Sequence, residues 1–247
     1  MAYLAPLVSL DGPPKATGPI PARISAARLA IIDANRAKAE LMHYFCVHHW
    51  GFDVVAFEHT GQAGIAAVAQ TMPELVLAAL TPTDMAMNDF VGGLRAAAPA
   101  TKLILLTSHC NEYLVHALSG AGYNGLIWEM EEGLASLGAR IERVRDGARV
   151  VSHGILHCQA ALRDAPNAFP KLLSTRHQEV LVCIAHSMSD EEIARQLGVS
   201  VSTALSHRQK IMRKLNIHNT PKLIQYCIEK GFSSVPPPTP LHTHGLS

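Results

Sequence analysis

Between positions 26 and 150, short apolar runs alternate with stretches in which apolar residues recur at helical spacing. The runs lie at 28–32, 54–56, 75–80, 102–107 and 125–128, and the helical stretches lie near 35–49, 62–71, 87–97, 111–121 and 131–146. Glycine or proline marks the joins, for example at Gly51, Pro73 and Gly122. Five strand–helix units of this length predict a doubly wound α/β domain over residues 25–150, with a parallel sheet between two layers of helices.

Residues 170–232 have a different pattern, because apolar positions recur at helical spacing throughout. The predicted helices lie near 175–187, 189–197, 200–215 and 220–230. Ser189 is followed three residues later by Glu192, which is the spacing of a capping box, and Gly198 ends that helix. Two short helices joined by a glycine-containing turn are typical of a helix-turn-helix, whose second helix enters the major groove of DNA.

The third predicted helix has two chemically different faces. Ala204, His207, Ile211 and Leu215 form a stripe that can pack against the preceding helix. The opposite side offers hydroxyls, an amide and a guanidinium, which can read base edges, and the flanking cations suit phosphates. The candidate DNA-binding residues are Ser202, Thr203, Leu205, Ser206, Arg208, Gln209, Lys210, Arg213 and Lys214. The alternative is an ordinary helical hairpin with a solvated polar face.

Charge is distributed unevenly along the chain. The formal net charge is +1, yet residues 170–247 carry nine Lys/Arg against five Asp/Glu, whereas the rest carries twelve against fifteen. A basic C-terminal region favours a polyanionic partner such as duplex DNA, although charge alone also fits a solvated helix face.

The composition supports folded domains, because 48% of the residues are apolar and 17% are charged. No apolar run approaches the ~20 residues that cross a bilayer, and no signal peptide is recognised, so we expect a cytoplasmic protein without membrane contact. The five cysteines are scattered and predict neither a disulfide framework nor a zinc site. The Pro-rich segments 1–24 and 233–247 are expected to be disordered tails, and 151–169 a linker.

Residues 172–232 resemble the LuxR/FixJ-type DNA-binding domain over nearly its full length. The matching pieces are TRHQEVL, EIARQLGVS and TALSHRQKIMRKL. The resemblance implies a four-helix unit that binds DNA as a dimer through its last helix, with Leu205, Ser206 and Gln209 in base-facing positions. Many members have valine and lysine after the threonine, where this chain has Ala204 and Leu205, so one cation is missing from the usual set.

Residues 25–150 resemble the receiver domain of two-component response regulators, as in the LuxR/FixJ (NarL) type. Members of that family hold Mg²⁺ with two acids after the first strand and phosphorylate an aspartate that ends the third. The corresponding positions here are Asp33, Ala34, Ala79, Thr107 and Glu129. One acid and the switch hydroxyl remain, whereas the phosphate acceptor is alanine and the lysine after the fifth strand is glutamate.

Aspartyl phosphorylation needs a carboxylate nucleophile and a charge-neutralising cation, and Ala79 supplies no nucleophile. Asp84 follows the third strand and is the alternative acceptor. The sequence therefore predicts a degenerate, phosphorylation-independent receiver with no catalytic residues, no metal site and no cofactor.

We expect a non-enzymatic transcription regulator that binds double-stranded DNA as a homodimer, with a regulatory protein or small molecule as a further partner at the receiver-like domain. Apolar residues available for dimer contact, or for the core, are Ala117, Leu118, Ala121, Leu134, Leu137 and Ile141. The alternatives are a small-molecule-sensing LuxR-type regulator and an interaction adaptor with a vestigial helix-turn-helix. Histidines close to Cys46, Cys110 and Cys158 leave metal or redox sensing as a minor alternative.

Overall fold

The computed structural model describes residues 26–80, 84–235 and 237. The predicted tail 1–24 lies outside the described residues. The strands are β1 (Arg28–Ile32), β2 (Asp53–Glu58), β3 (Leu75–Ala79), β4 (Lys102–Thr107), β5 (Gly125–Trp128) and β6 (Val150–Val151). The helices are α1 (Arg36–His48), α2 (Gly61–Thr71), α3 (Met87–Ala97), α4 (Glu112–Ala117), α5 (Leu134–Arg145), α6 (His153–Asp164), α7 (Phe169–Leu172), α8 (Thr175–Ala185), α9 (Asp190–Leu197), α10 (Val201–Lys214) and α11 (Thr220–Lys230). Short 3₁₀ turns lie at Glu129–Glu131 and Phe232–Ser234.

The N-terminal domain is a parallel sheet with strand order β2-β1-β3-β4-β5-β6. All five residues of β3 are buried, as expected of a central strand with helices on both faces. The carboxyl ends of β1, β3, β4 and β5 meet at one edge, which is where Asp33, Ala79, Thr107 and Glu129 lie. The predicted doubly wound α/β fold is confirmed, and all five strand pairings of the described sheet are parallel.

The prediction of a linker over 151–169 was wrong for most of that segment. Val150 and Val151 pair with β5 as a sixth strand, and α6 follows and packs on α4 and β5. Ile155 on α6 is fully buried, and the buried Ser152 hydroxyl accepts a hydrogen bond from the Trp128 amide at 3.0 Å. A two-residue strand gives too short an alternation to be recognised in a sequence, so this addition was missed.

The C-terminal domain contains the four predicted helices α8 to α11, preceded by the short α7. The capping box before α9 is present, with Ser189 N donating to Glu192 Oε2 at 2.7 Å and Glu192 N donating to Ser189 Oγ at 3.2 Å. Gly198 adopts a left-handed conformation, with φ of 63°, and thereby ends α9. Ile193, Leu197, Ala204 and Ile211 are buried together between α9 and α10, as the apolar stripe predicted.

The two domains contact each other through α4 and the end of α11. Lys230 Nζ lies 2.5 Å from Glu112 Oε1, and Asn111 Nδ2 donates to Ser234 Oγ at 2.9 Å. The Phe232 ring is fully buried and lies 4.5 Å from the Tyr113 ring. The tail predicted from residue 233 therefore begins too early, because the 3₁₀ turn and the buried Val235 continue the folded chain.

Candidate nucleic-acid interface and receiver-like pocket

The outer face of α10 is open to solvent among the residues that the structure describes. Leu205 is 43% exposed and Ser206 is half-buried. The exposed polar residues of the predicted set are Ser202, Thr203, Gln209, Lys210, Arg213 and Lys214. The helix therefore presents polar and cationic groups on one side and buries Ala204 and Ile211 on the other, as predicted.

The start of α10 carries a cluster of hydroxyl groups. Ser200 caps the helix by accepting a hydrogen bond from Thr203 N at 3.1 Å. Its hydroxyl also lies 2.9 Å from Ser202 Oγ and 2.7 Å from Thr203 Oγ1. Free amide groups and the positive end of the helix dipole attract anions at such a terminus, so these residues suit a phosphate of the DNA backbone.

Arg208 was predicted to contact phosphates together with the exposed cations, but in the structure it is turned into the domain. Its side chain is only 13% exposed and pairs with Asp190, Nε to Oδ1, at 2.8 Å. It also donates to the Met188 carbonyl at 3.4 Å. The pair joins α10 to the start of α9, so Arg208 holds the helix-turn-helix together. The two residues are 18 positions apart in the sequence, and no local pattern indicates the contact.

Lys214 is exposed but has a structural contact as well, since its Nζ donates to the Leu172 carbonyl at the end of α7 at 2.8 Å. Lys210 and Arg213 are exposed on the same helix. The four cations of the candidate interface therefore differ in their contacts. Arg208 is paired inside the domain, and Lys214 is exposed but bound to a backbone carbonyl. Lys210 and Arg213 are exposed to solvent.

Two histidines lie where α10 packs against α8. The His207 ring on α10 lies 5.5 Å from the His177 ring on α8 in an edge-to-face arrangement. Burial lowers the pKa of His207, and Arg176 and Lys210 lower it further. Burial likewise lowers the pKa of His177, with Lys214, His207 and Lys210 acting in the same direction. Burial and the neighbouring cations therefore both disfavour the charged form of each ring.

The receiver-like pocket brings Asp33, Ala79, Thr107 and Glu129 to one edge of the sheet, with Ala34 half-buried beside Asp33. Asp33, Ala79 and Thr107 are buried. The Thr107 hydroxyl serves a local turn, since it donates to the His109 carbonyl at 2.9 Å and accepts from His109 N at 3.1 Å.

A residue that the sequence did not single out completes this pocket. Lys38 Nζ lies 2.8 Å from Asp33 Oδ2 and 2.7 Å from Glu129 Oε1. Burial lowers the pKa of Lys38, but the hydrogen bonds and charges of Asp33 and Glu129 outweigh it, so that the pKa is raised overall. Side chains of a helix lean toward its N-terminus, which brings a lysine in the first turn of α1 back over the sheet edge.

The pocket does not fit the Mg²⁺ of receiver domains. Ala34 and Ala79 offer no oxygen ligands from their side chains, and an ammonium group already bridges the two carboxylates that remain. Asp84 is also engaged elsewhere, because its carboxylate accepts hydrogen bonds from Gly61 N at 2.7 Å and Gln62 N at 2.9 Å. Burial raises the pKa of Asp84, but these backbone hydrogen bonds lower it overall, as they do for a helix cap. Among the described residues, no three His, Cys, Asp or Glu side chains form a metal-ligand group.

The apolar residues considered for dimer contact are mainly core. Leu118, Leu137 and Ile141 are buried, Ala117 and Ala121 are half-buried, and only Leu134 is exposed, at 39%. The face of α4 is covered by α6 and by the end of the C-terminal domain. These residues therefore offer little free surface to a second copy.

The parallel α/β domain followed by a helix-turn-helix domain is the two-domain architecture of response regulators. Residues 171–227 match the model of the family GerE, "Bacterial regulatory proteins, luxR family". A nitrate/nitrite response regulator protein homolog from Haemophilus influenzae is 29% identical, over 68% of this chain and 80% of the relative. The transcriptional regulatory protein MctR of Rhizobium johnstonii is 27% identical, over 72% of this chain and 86% of the relative.

The fold is also that of solved structures. RcsB of Salmonella enterica, bound to the promoter rprA, superposes with a TM-score of 0.60 at 18% identity, covering 82% of this chain and 98% of that chain. A LuxR-family response regulator from Aurantimonas superposes with a TM-score of 0.52 at 22% identity, covering 57% of this chain and 100% of that chain.

Residues 171–227 thus match a luxR-family regulatory domain, and the chain is similar over about 70% of its length to proteins named as response and transcriptional regulators. Within the described residues, no helix is both long enough and apolar enough to cross a membrane.

Proposed function

We propose that this protein is a cytoplasmic, sequence-specific transcription regulator that binds duplex DNA through α10, and that its receiver-like domain works without aspartyl phosphorylation. The observation that carries the proposal is the solvent-open, polar and cationic outer face of α10 when both described domains are in place.

Within this interface, Leu205, Ser206 and Gln209 lie on the outward face and serve as the base-reading residues. An amide side chain can make paired hydrogen bonds to adenine, a serine hydroxyl bonds to several base edges, and an apolar leucine suits the methyl group of thymine. Lys210 and Arg213 supply the phosphate contacts, together with Lys214 and with Ser202 and Thr203 at the helix start. These contacts set affinity and register rather than sequence preference.

The residues of the receiver-like pocket support the proposal that this domain works without aspartyl phosphorylation. A phosphoryl group would need a carboxylate acceptor where Ala79 stands, and Glu129 would repel it at the position where receivers carry a lysine. Lys38 supplies a cation from within the chain that pairs with both remaining carboxylates. The charge balance that a metal and a phosphate provide in a receiver is thus replaced by a fixed ion-pair network.

We further propose that the regulator acts as a homodimer through its last helix. Ile228 on α11 is 57% exposed and Gln225 beside it is exposed, whereas the α4 face is covered. One structural relative is described as two RcsB dimers bound to two parallel DNAs. Two copies related by a twofold axis would place their α10 helices on a pseudo-palindromic site.

The test is selection of binding sites from a random duplex pool with the full chain, followed by affinity measurements over a salt series. We expect an enriched, pseudo-palindromic site that binds at least about 10³-fold more tightly than unselected duplex. The slope of log affinity against log salt concentration should correspond to contacts with several phosphates. An unenriched pool, with equal weak binding to all duplexes, would refute sequence-specific recognition and favour the adaptor alternative.

A further inference from the structure

A cleft lies at the open edge of the sheet, where β6 has a neighbouring strand on one side only. Its walls come from α5 and α6, its floor comes from β6, and its volume is about 410 Å³. We call it the β6 cleft. Among the described residues, those that line it include three guanidinium groups and no carboxylate. The lining residues that matter below are Arg140, Arg143, Arg149, Val151, Leu156 and Gln159.

Two of the three arginines are held in place by neighbouring side chains. Arg140 Nε lies 2.6 Å from Oε1 of Glu132, whose side chain is only 3% exposed. The Arg149 guanidinium lies over the Tyr123 ring, 5.0 Å from its centroid. Gln159 Nε2 donates to the hydroxyl of the same tyrosine at 3.4 Å. These contacts position two guanidinium groups and one amide in advance, which lowers the entropic cost of binding a ligand between them.

The positive charge of the β6 cleft is only partly balanced. Glu132 pairs with Arg140, whereas Arg143 and Arg149 are exposed and neither forms an ion pair with a carboxylate among the described residues. The cleft therefore keeps two uncompensated positive charges. A phosphate monoester carries a charge of about −1.5 to −2 at pH 7. Guanidinium groups match phosphate oxygens through paired, charge-assisted hydrogen bonds.

The strand β6 adds a backbone donor to the cleft. Val150 N donates to the Asn124 carbonyl at 2.9 Å, and Ser152 N donates to the Leu126 carbonyl at 3.0 Å, so both amides face β5. Because successive amides of a strand point to opposite sides, the Val151 amide between them points to the open edge of the sheet. Val151 lines the cleft, so this N–H group is available to an anion there.

We propose that the β6 cleft binds a small phosphate monoester that carries an apolar or aromatic group. The phosphate contacts Arg143, Arg149 and the Val151 amide, and the apolar group lies on Leu156, which is 49% exposed. The cleft volume of about 410 Å³ falls within the range of small-molecule sites, roughly 300–1,000 Å³. A peptide strand is a poorer occupant, because β6 offers an edge of only two residues. The inference goes beyond DNA binding and does not depend on it, since the cleft belongs to the N-terminal domain.

The experiment titrates the full chain with phenyl phosphate by isothermal titration calorimetry, with inorganic phosphate and phenol as partial probes. We expect one phenyl phosphate per chain, about tenfold weaker binding of inorganic phosphate because it lacks the apolar group, and no measurable binding of phenol. Absence of saturable binding up to about 10 mM phenyl phosphate would overturn the proposal.

Hydrogen exchange measured by mass spectrometry locates the bound probe. Phenyl phosphate should slow exchange in peptides from residues 140–159 and leave peptides from residues 201–214 unchanged. Protection of the α10 peptides alone would show that the anion binds the proposed DNA-contact surface instead, and would overturn the assignment to the β6 cleft. The readout needs no DNA, so its outcome is independent of the proposed DNA binding.

Arg143→Gln and Arg149→Gln should each weaken binding of phenyl phosphate by at least about tenfold, because each removes charge-assisted hydrogen bonds. Arg163→Gln is the matched control, since Arg163 is 75% exposed on α6 and does not line the cleft, and it should leave the affinity unchanged. Unchanged affinity in both cleft variants, or an equal loss in the control, would overturn the proposal. A glutamate-rich peptide that binds more tightly and displaces phenyl phosphate would also overturn it, in favour of an acidic protein partner.

Discussion

The ammonium group of Lys38 lies 2.7 Å from the Glu129 carboxylate, at the edge of the sheet where receiver domains handle phosphate. The same ammonium lies 2.8 Å from the Asp33 carboxylate, so one cation pairs with two carboxylates. Substitution Lys38→Met should therefore leave two uncompensated negative charges in a half-buried site. We expect a loss of about 1–3 kcal/mol in the free energy of unfolding, measured by urea denaturation, because a charge deprived of its partner is costly where water is partly excluded.

The matched control for this substitution is Arg163→Met. Arg163 pairs with Asp164 on the surface of α6, where both side chains are at least 70% exposed. A change below about 0.5 kcal/mol is expected there, since exposed pairs contribute little. Equal effects of the two substitutions would show that the Lys38 network has no special role.

The degenerate pocket should not accept phosphate. Incubation of the wild-type chain with acetyl phosphate and Mg²⁺ should give no mass increase, and beryllofluoride should leave the oligomeric state unchanged. Ala79→Asp should not restore phosphorylation, because Lys38 and Glu129 still occupy the pocket. A phosphorylated wild-type peptide that contains Asp84 would contradict the conclusion that its carboxylate is engaged by the first two amides of α2.

Gln209→Ala should reduce the difference in binding free energy between the preferred base pair and the others, at one position of the selected site, by about 1–3 kcal/mol. Binding to unselected duplex should hardly change, because the side chain carries no charge. Fluorescence anisotropy with single-base variants of the site gives both values. Gln70→Ala, at an exposed position on α2, is the control and should alter neither.

Arg213→Ala should weaken binding to all duplexes and reduce the slope of log affinity against log salt by roughly one phosphate. Arg208→Ala should behave differently, because this side chain is braced against Asp190. We expect Arg208→Ala to lower the free energy of unfolding by about 1–3 kcal/mol and to leave the salt slope of the folded protein unchanged. Asp190→Asn should reproduce the stability loss; if Arg208→Ala instead reduced the slope without loss of stability, Arg208 would be a phosphate contact.

The His177–His207 pair predicts a fall in stability under mildly acidic conditions. The pKa of each ring is lowered in the folded protein from an ordinary value of 6.5, so the unfolded chain binds more protons as the pH drops through that value. The free energy of unfolding is then highest above pH 6.5 and declines below it. His207→Gln should flatten this decline in urea denaturation between pH 7.5 and 5 by roughly half, whereas His153→Gln, at an exposed position, should leave it unchanged.

Local sequence signals predicted much of this structure. Strands β1, β4 and β5 and helices α3 and α11 begin and end where the pattern of apolar residues and caps indicates. Ser189, Glu192 and Gly198 fixed the turn of the helix-turn-helix, because capping is a contact between residues three or four positions apart. The two faces of α10 followed from helical periodicity alone.

What the sequence did not reveal depends on contacts between distant residues. Lys38 reaches Glu129 across 91 positions, and Arg208 reaches Asp190 across 18. A charged residue on a helix carries no local indication of whether it meets a partner or water, so Arg208 was assigned to the phosphates and Lys38 was overlooked. The helix α6 was missed because it packs against the sheet with little of its surface. Ile155 is its one fully buried residue, so its sequence carries no clear apolar stripe.

The C-terminal domain contacts α4 through the end of α11 and the turn that follows, whereas the outer face of α10 stays exposed among the described residues. The DNA contact proposed for α10 therefore requires no prior separation of the two domains. Occupancy of a target would follow the concentration and pairing of protomers rather than release from self-inhibition.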